Sequence, residues 1–498
     1  MGHISRRLLL GGAAATAGVL PLHRWLVHTA RAQTQVTRFD LSTTDGRAML
    51  QIYADAVGKM MAMGEGEPRG WLFQWYTHAV RGDRTKSAEL DRIYTDSSDP
   101  NRALANSMWD TCEAHFDDSR ENFFFPWHRM FVLFFEQIIR NVSGNTAFTL
   151  PYWNYTDPGN RALPAEFRMR DDPVWGPLFR PDRRNGVNNG RPIDEVGPNP
   201  INLDAMRSPV YQDTGNGDAG FCANTDGGVH GAIHVDVGTR VGMGDVPWAA
   251  NDPIFWLHHC NIDRIWASWN KAGGKNPSDL GFMNETFTFA DGGGNRVQSM
   301  VADVLDTVPL NYVYDSYLDR PPGSVPFPQP GAVVAFASHA SSAQVSGPVA
   351  LGGAPTTVSL AAPPAPAAKA PGGPSLAVNV RAGRNFYLRL DGLRAATQPD
   401  VAYDVYLDLP EGTPPDRSNA SYVGSVNFFG AVVHGAHAGH KPAPVAKKSY
   451  SLVATDTVRK LQEAGRLTDA PRVTLVPTGA PSQDAAPTIN SIALLSSS

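Results

Sequence analysis

Cysteine is scarce: three in 498 residues leave at most one bridge and an odd thiol, which excludes a disulfide-stapled scaffold. Charge is sparse as well. Asp, Glu, Lys and Arg make up 18% of the chain, too little for a polypeptide kept unfolded by its own charge. Neither sign dominates, with 43 basic against 48 acidic residues and a net charge of −5 at pH 7. No long run of Lys or Arg could neutralise a phosphate backbone, so no nucleic acid is expected as a partner. Hydrophobic residues make up 42% of the chain, enough for sizeable cores without continuous membrane-type apolarity. At roughly 100 to 200 residues per domain the length implies two or three domains. The 47 glycines and 40 prolines argue for long loops and against a plain helical repeat array.

Residues 1–32 read as an address. Ser5-Arg6-Arg7 precedes an apolar stretch from Leu8 to Leu22, and Ala30-Arg31-Ala32 offers small residues for a signal peptidase. This resembles a twin-arginine export signal and implies a periplasmic or secreted protein. The apolar stretch is short for a helix that must cross about 30 Å of hydrocarbon, so no stable membrane insertion is expected.

Helical spacing runs from Arg47 to Met63, from Pro126 to Arg140 and from Asp252 to Trp269, with loops rich in Gly, Pro and Asn between them. After Tyr314 the composition shifts. Residues 331–375 are dominated by Ala, Pro and Gly and read as a linker, within which only Thr356–Leu360 resembles a strand. Beyond it, residues 376–498 carry alternating and β-branched runs such as Phe386–Leu390, Ala402–Leu409 and Arg472–Val476. The expected fold is therefore a mainly α domain over residues 33–330, a bundle with long loops, followed by an all-β sandwich.

Histidine is where the chemistry gathers. His230-Gly231-Ala232-Ile233-His234 puts two imidazoles at i and i+4, one above the other on a single helix face, which suits two ligands of one metal. His258-His259 lies in the following helix, and His128 heads an earlier one with His78 and His115 upstream. His434, His437 and His440 sit in a Gly/Ala-rich stretch and read as surface residues.

Pro126-Trp127-His128-Arg129 with Phe134-Phe135-Glu136, then Leu150-Pro151-Tyr152-Trp153-Asn154, then the His230/His234 pair, then Asn251 to Arg264 resemble the tyrosinase and polyphenol oxidase family of binuclear copper proteins. Tyr403-Asp404-Val405-Tyr406, Tyr422-Val423-Gly424-Ser425, Phe429-Gly430 and Val473 to Pro477 resemble the tail of its plant-type members. The resemblance implies two copper ions per chain, with His78, His115 and His128 on the first and His230, His234 and His259 on the second. Three imidazoles per copper leave positions open for dioxygen, the co-substrate. His258, Asp252 and Glu136 are then expected to steady the ligands from behind.

The implied reaction is oxidation of o-diphenols, small phenolic substrates, to o-quinones, with dioxygen reduced to water. Members that also hydroxylate monophenols often carry Asn after the first ligand of the second copper; this chain has Gly231 there, which favours diphenol oxidation. A dioxygen carrier resembling molluscan haemocyanin is the rival reading. Cys112, three residues before His115, is a candidate for a thioether between the two, whereas Cys260 reads as core packing. The twelve residues between His115 and His128 are more than is common in the family and imply a local insertion. Val246, in the Met243–Trp248 loop, and Gly231 are the expected substrate gate. The tail is expected to cover the copper mouth until a protease cuts between Ser338 and Ser375, and a copper chaperone is a further expected partner.

Overall fold

The computed structural model describes residues 35–112, 122–215, 217–328, 340–361, 384–432, 448–468 and 470–496. The export signal, His115, and His434, His437 and His440 fall outside these residues.

Up to residue 328 the chain is helical with long loops. Helix α1 (Thr44–Met61) starts where the Thr43 hydroxyl accepts the Gly46 N–H, with Asp45 in its first turn and Lys59 in its last, a pattern that caps both the free donors and the helix dipole. Helices α2 (Trp71–His78), α3 (Lys86–Ile93) and α4 (Pro100–Met108) follow. Helix α5 (Phe124–Ser143) ends on Gly144 in the left-handed region, φ 73°, where a Cβ would be strained. Helix α6 (Gly231–Val237) is short, and α7 (Ile254–Lys271) is buried at every position from Ile254 to Trp269. A helix apolar or satisfied all round belongs at the centre of a core, and α7 occupies it. Against α7, Trp256 stacks on Phe135 of α5 with ring centroids 3.5 Å apart and 10° between planes.

A buried ionic network ties these helices to the start of the chain. Strand β1 (Val36–Arg38) pairs in parallel with β4 (Tyr312–Tyr314), and Arg38 reaches Glu136 on α5 at 2.9 Å and Asp263 on α7 at 3.1 Å. Arg129 also pairs with Asp263. Strands β2 (Thr286–Ala290) and β3 (Arg296–Met300) form a hairpin on the flank of α5. Among the described residues no helix is long and apolar enough to cross a membrane.

The C-terminal part is a pair of four-stranded sheets enclosing one core of Leu388, Leu390, Val405, Leu475 and Ile492. One sheet has the order β10 (Lys448–Val453), β7 (Phe386–Leu393), β12 (Thr488–Ser496), β5 (Ala340–Ala350). The other runs β6 (Thr356–Ser359), β11 (Arg472–Pro477), β8 (Tyr403–Leu407), β9 (Tyr422–Val426). This corrects the linker: residues 340–361 belong to the sandwich, with β5 and β6 each closing one sheet edge. Strand β6 falls where Thr356–Leu360 resembles a strand; β5, mostly Ala, Ser and Gly, gives no such side-chain signal, because an edge strand is held through its backbone hydrogen bonds.

Candidate metal centre

Six histidines meet where α2, α5, α6 and α7 converge, and all six are buried. His78 ends α2, its backbone continuing into an extended residue, and its ring lies 6.0 Å from that of His128 in the first turns of α5. His128 Nδ1 is 2.7 Å from the Phe124 carbonyl. That contact fixes the Nδ1–H tautomer and turns Nε2 inward. Cys112 Sγ stands 3.5 Å from that Nε2, so its thiol lies against the first cluster, and the expected thioether partner His115 is outside the described residues.

The second cluster is built on one helical turn. His230 and His234 bring their Nε2 atoms to 3.1 Å, as the i, i+4 spacing predicts. Each has its other nitrogen engaged: His234 Nδ1 with the Met243 carbonyl at 2.9 Å, and His230 Nδ1 with the carbonyl and carboxylate of Asp226 at 3.1 and 3.0 Å. His259 bridges the clusters. Its ring stacks on His128 with centroids 4.5 Å apart and lies 5.0 Å from His230, and both its nitrogens are buried without a hydrogen-bond partner. His258 points Nδ1 at the Tyr155 hydroxyl, 2.9 Å away, and leaves Nε2 buried and unpartnered.

The potential ligand atoms of His230, His234, His258 and His259 lie within 4.8 Å of one another, and so do those of His78, Cys112 and His128. Burial and the neighbouring imidazoles push His78, His234, His258 and His259 well below the ordinary imidazole range, and His128 down to about 3. The rings are thus neutral at pH 7, the protonation state a metal requires. Buried nitrogens with no protein partner are costly unless something else accepts their lone pairs. An all-imidazole cluster beside one of two imidazoles and a thiol offers the nitrogen and sulfur donors that suit a pair of copper ions.

Several expected roles fall elsewhere. Glu136 does not back a ligand: its oxygens accept from Arg38, Arg140 and the Leu150 N–H, because the buried arginines claim it. Asp252 is held by Arg183 at 2.7 and 2.8 Å and accepts the Ile254 N–H at 3.2 Å, so it sets the start of α7 and touches no imidazole. Val246 is buried and hydrogen-bonds His78 through its backbone, which places it behind the first cluster and not at a gate over the second. His258 is closer to the metal cluster than a purely supporting role requires.

Tyr155, the Met243 carbonyl and Asp226 act where Asp252 and Glu136 were expected, and only Asp226, four residues before His230, had a spacing that could have revealed it. Phe429 is the largest surprise. It comes from the C-terminal domain yet packs in the helical core, its ring 4.0 Å from that of His234 and 9° from parallel.

Comparison with known proteins fits this geometry. Residues 70–202 and 187–272 match the common central domain of tyrosinase, and residues 276–321 match the polyphenol oxidase middle domain. The chain belongs to the tyrosinase and polyphenol oxidase family. Residues 340–497 match a domain family of unknown function, whose start coincides with β5. Relatives of this polyphenol oxidase family member include a tyrosinase from Hahella sp. (strain CCB-MM4), 33% identical over 298 residues, covering 53% of this chain and 60% of that one. A chloroplastic polyphenol oxidase of Malus domestica is 26% identical over 472 residues, covering 85% of this chain and 72% of its own. The chain thus spans under two thirds of the Hahella protein, and 45% of polyphenol oxidase A1 of Vicia faba. Among solved structures, latent apple tyrosinase superposes with a TM-score of 0.62 at 23% identity, covering 94% of this chain and 98% of that chain. Latent aurone synthase gives 0.61 at 19% identity, covering 94% and 90%. Both likenesses extend the shared fold through the C-terminal sandwich.

Proposed function

We propose that this protein oxidises o-diphenols to o-quinones at a copper pair, with dioxygen as co-substrate, and that its C-terminal domain holds it latent. Two buried histidine clusters face each other, with His259 stacked on His128 at 4.5 Å, and that single arrangement carries the reading. The copper pair, when bound, supplies the electron transfer to dioxygen. Two diphenols each lose two electrons and two protons, and one dioxygen leaves as two waters.

The chain's own part is positioning and exclusion. The carbonyls of Phe124 and Met243 and the Asp226 group hold three rings in orientation. Phe124, 4.7 Å from His230, and Phe255, 4.1 Å from His259, wall the site with apolar rings that exclude water and give a phenol ring faces to pack on. Phe429 stands on His234 where such a ring would approach, which supports latency. A cut that frees the whole sandwich has to fall before Ala340, because residues 340–361 are paired into its sheets, and this narrows the region expected between Ser338 and Ser375. Small phenols, an activating protease, a copper chaperone and twin-arginine export of residues 1–32 belong to the same proposal.

The test is oxygen uptake by copper-loaded, protease-activated protein given catechol and then the matching monophenol. Consumption with catechol alone is expected, since Gly231 offers no side chain to assist a monophenol; equal consumption with both would overturn the diphenol preference.

A further inference from the structure

The C-terminal domain meets the helical domain along a row of glycines. A Cβ on Gly217, in the left-handed region at φ 95°, would stand 3.0 Å from Leu495 Cβ, and one on Gly227 would stand 3.1 Å from the Tyr450 ring. At Gly231 the fit is tightest: a Cβ would lie 2.7 Å from Asn427 Oδ1 and 3.3 Å from Phe429 Cβ. Such separations are well inside van der Waals contact, so something must move.

Asn427 is not free to move. Its side chain is buried, Oδ1 accepts the Phe429 N–H at 3.1 Å and Nδ2 donates to the Gly227 carbonyl at 3.0 Å. Its own N–H reaches the Tyr450 hydroxyl at 3.1 Å, and that hydroxyl donates to the Gly227 carbonyl at 2.6 Å. The carboxamide of Asn427 therefore fills, from the other domain, the volume a side chain at position 231 would occupy. It also fixes the turn that presents Phe429 to His234.

We infer that Gly231 is the seat of the C-terminal domain: the missing side chain beside the His230 ligand position admits Asn427, and any larger residue at 231 unseats the domain. This rests on the reading of that domain as a cap over the copper mouth, and it gives position 231 a role in self-inhibition separate from its effect on the phenol. The same turn cannot stay docked over an asparagine at this position.

The test moves the asparagine across the interface and reads docking without copper. Backbone hydrogen exchange of residues 427–431 is measured in the copper-free full chain. Gly231→Asn is expected to speed exchange there by about ten-fold or more, as a docked segment becomes an open one. Gly231→Asn combined with Asn427→Gly is expected to return most of the protection, because the volume is again filled once. Unchanged exchange in the single variant, or no recovery in the double, would overturn the inference. Should Gly231→Asn fail to fold, Asn427→Gln presses on the same seat from the other side and is expected to open it. Recovery of protection without any change in catechol oxidation would uphold the seat and sink the latency reading, so the two are separable.

Discussion

The ring of Phe429 lies flat on the ring of His234, centroids 4.0 Å apart and planes 9° from parallel, and it carries a residue of the sandwich into the core of the helical domain. A stacked aromatic of this kind covers one face of a ligand ring and leaves little room for a second ring beside it. Its backbone is held from within the sandwich: Lys448 Nζ donates to the Phe429 carbonyl, and Asn427 Oδ1 accepts its N–H.

Tyr450 is the bolt on this arrangement, donating to the Gly227 carbonyl and accepting the Asn427 N–H. Removing the hydroxyl in Tyr450→Phe leaves the buried Asn427 N–H without its partner, at a cost of about 1–3 kcal/mol, while the Gly227 carbonyl keeps the bond from Asn427 Nδ2. The intact variant is expected to oxidise catechol faster than the parent, measured as initial oxygen uptake, with no change once both are cut before Ala340.

Copper content separates the paired histidines on α7. His259 bridges the clusters with neither nitrogen engaged, whereas His258 is tied to Tyr155. His259→Gln is expected to bind one copper per chain where the parent binds two. His258→Gln is expected to keep both, with affinity weaker by about 10–100-fold, the scale of a lost supporting contact. Metal analysis after equilibrium dialysis distinguishes them, and loss of a copper from His258→Gln alone would exchange the two roles.

Glu136 and Asp252 are expected to matter for stability and not for metal content. Asp252→Ala leaves the buried Arg183 without a carboxylate, at a cost of about 3–5 kcal/mol, and Glu136→Ala, which takes one of two carboxylates from Arg38 and leaves it Asp263, is expected to cost less. Urea unfolding should shift accordingly while copper stoichiometry stays at the parent value.

Stability of the copper-free protein should peak near neutral pH. Unfolded imidazoles take up protons below about 6.5, while the buried rings of His78, His128, His234, His258 and His259 do not until far lower. The unfolded state therefore binds more protons there, and stability falls as pH drops, by about 1.4 kcal/mol per unit for each fully shifted ring. Asp236 works in the opposite sense. Burial raises its carboxyl to about 8 against the hydrogen bonds from Asn199, so the folded state holds a proton that the unfolded state has lost, and stability declines as pH rises from about 4 to 8. Urea midpoints across pH should show both limbs, and Asp236→Asn should flatten the alkaline one.

Much of the site was legible because its signals are local. The i, i+4 spacing of His230 and His234 is a property of one helical turn, and Asp252-Pro253 marks the start of α7 from composition alone. Contacts between distant segments were not legible. Glu136 and Asp252 carry the right chemistry to steady an imidazole, but Arg38 and Arg183 reach them from elsewhere in the chain, and no local pattern announces that competition. Strand β5 was hidden because its Ala, Ser and Gly residues pair through their backbones with β12. Phe429 lies in a motif that was read as part of the tail, yet its place on His234 depends on how two domains dock.

The most direct test of the account is oxygen uptake with catechol by the copper-loaded full chain and its Phe429→Ala variant side by side. The account predicts two coppers in each, slow uptake by the parent and a several-fold faster rate in the variant, as expected when a ring that occludes the site is removed. Two bound coppers with no uptake by either protein would contradict the enzymatic reading, and equal rates would contradict occlusion by Phe429.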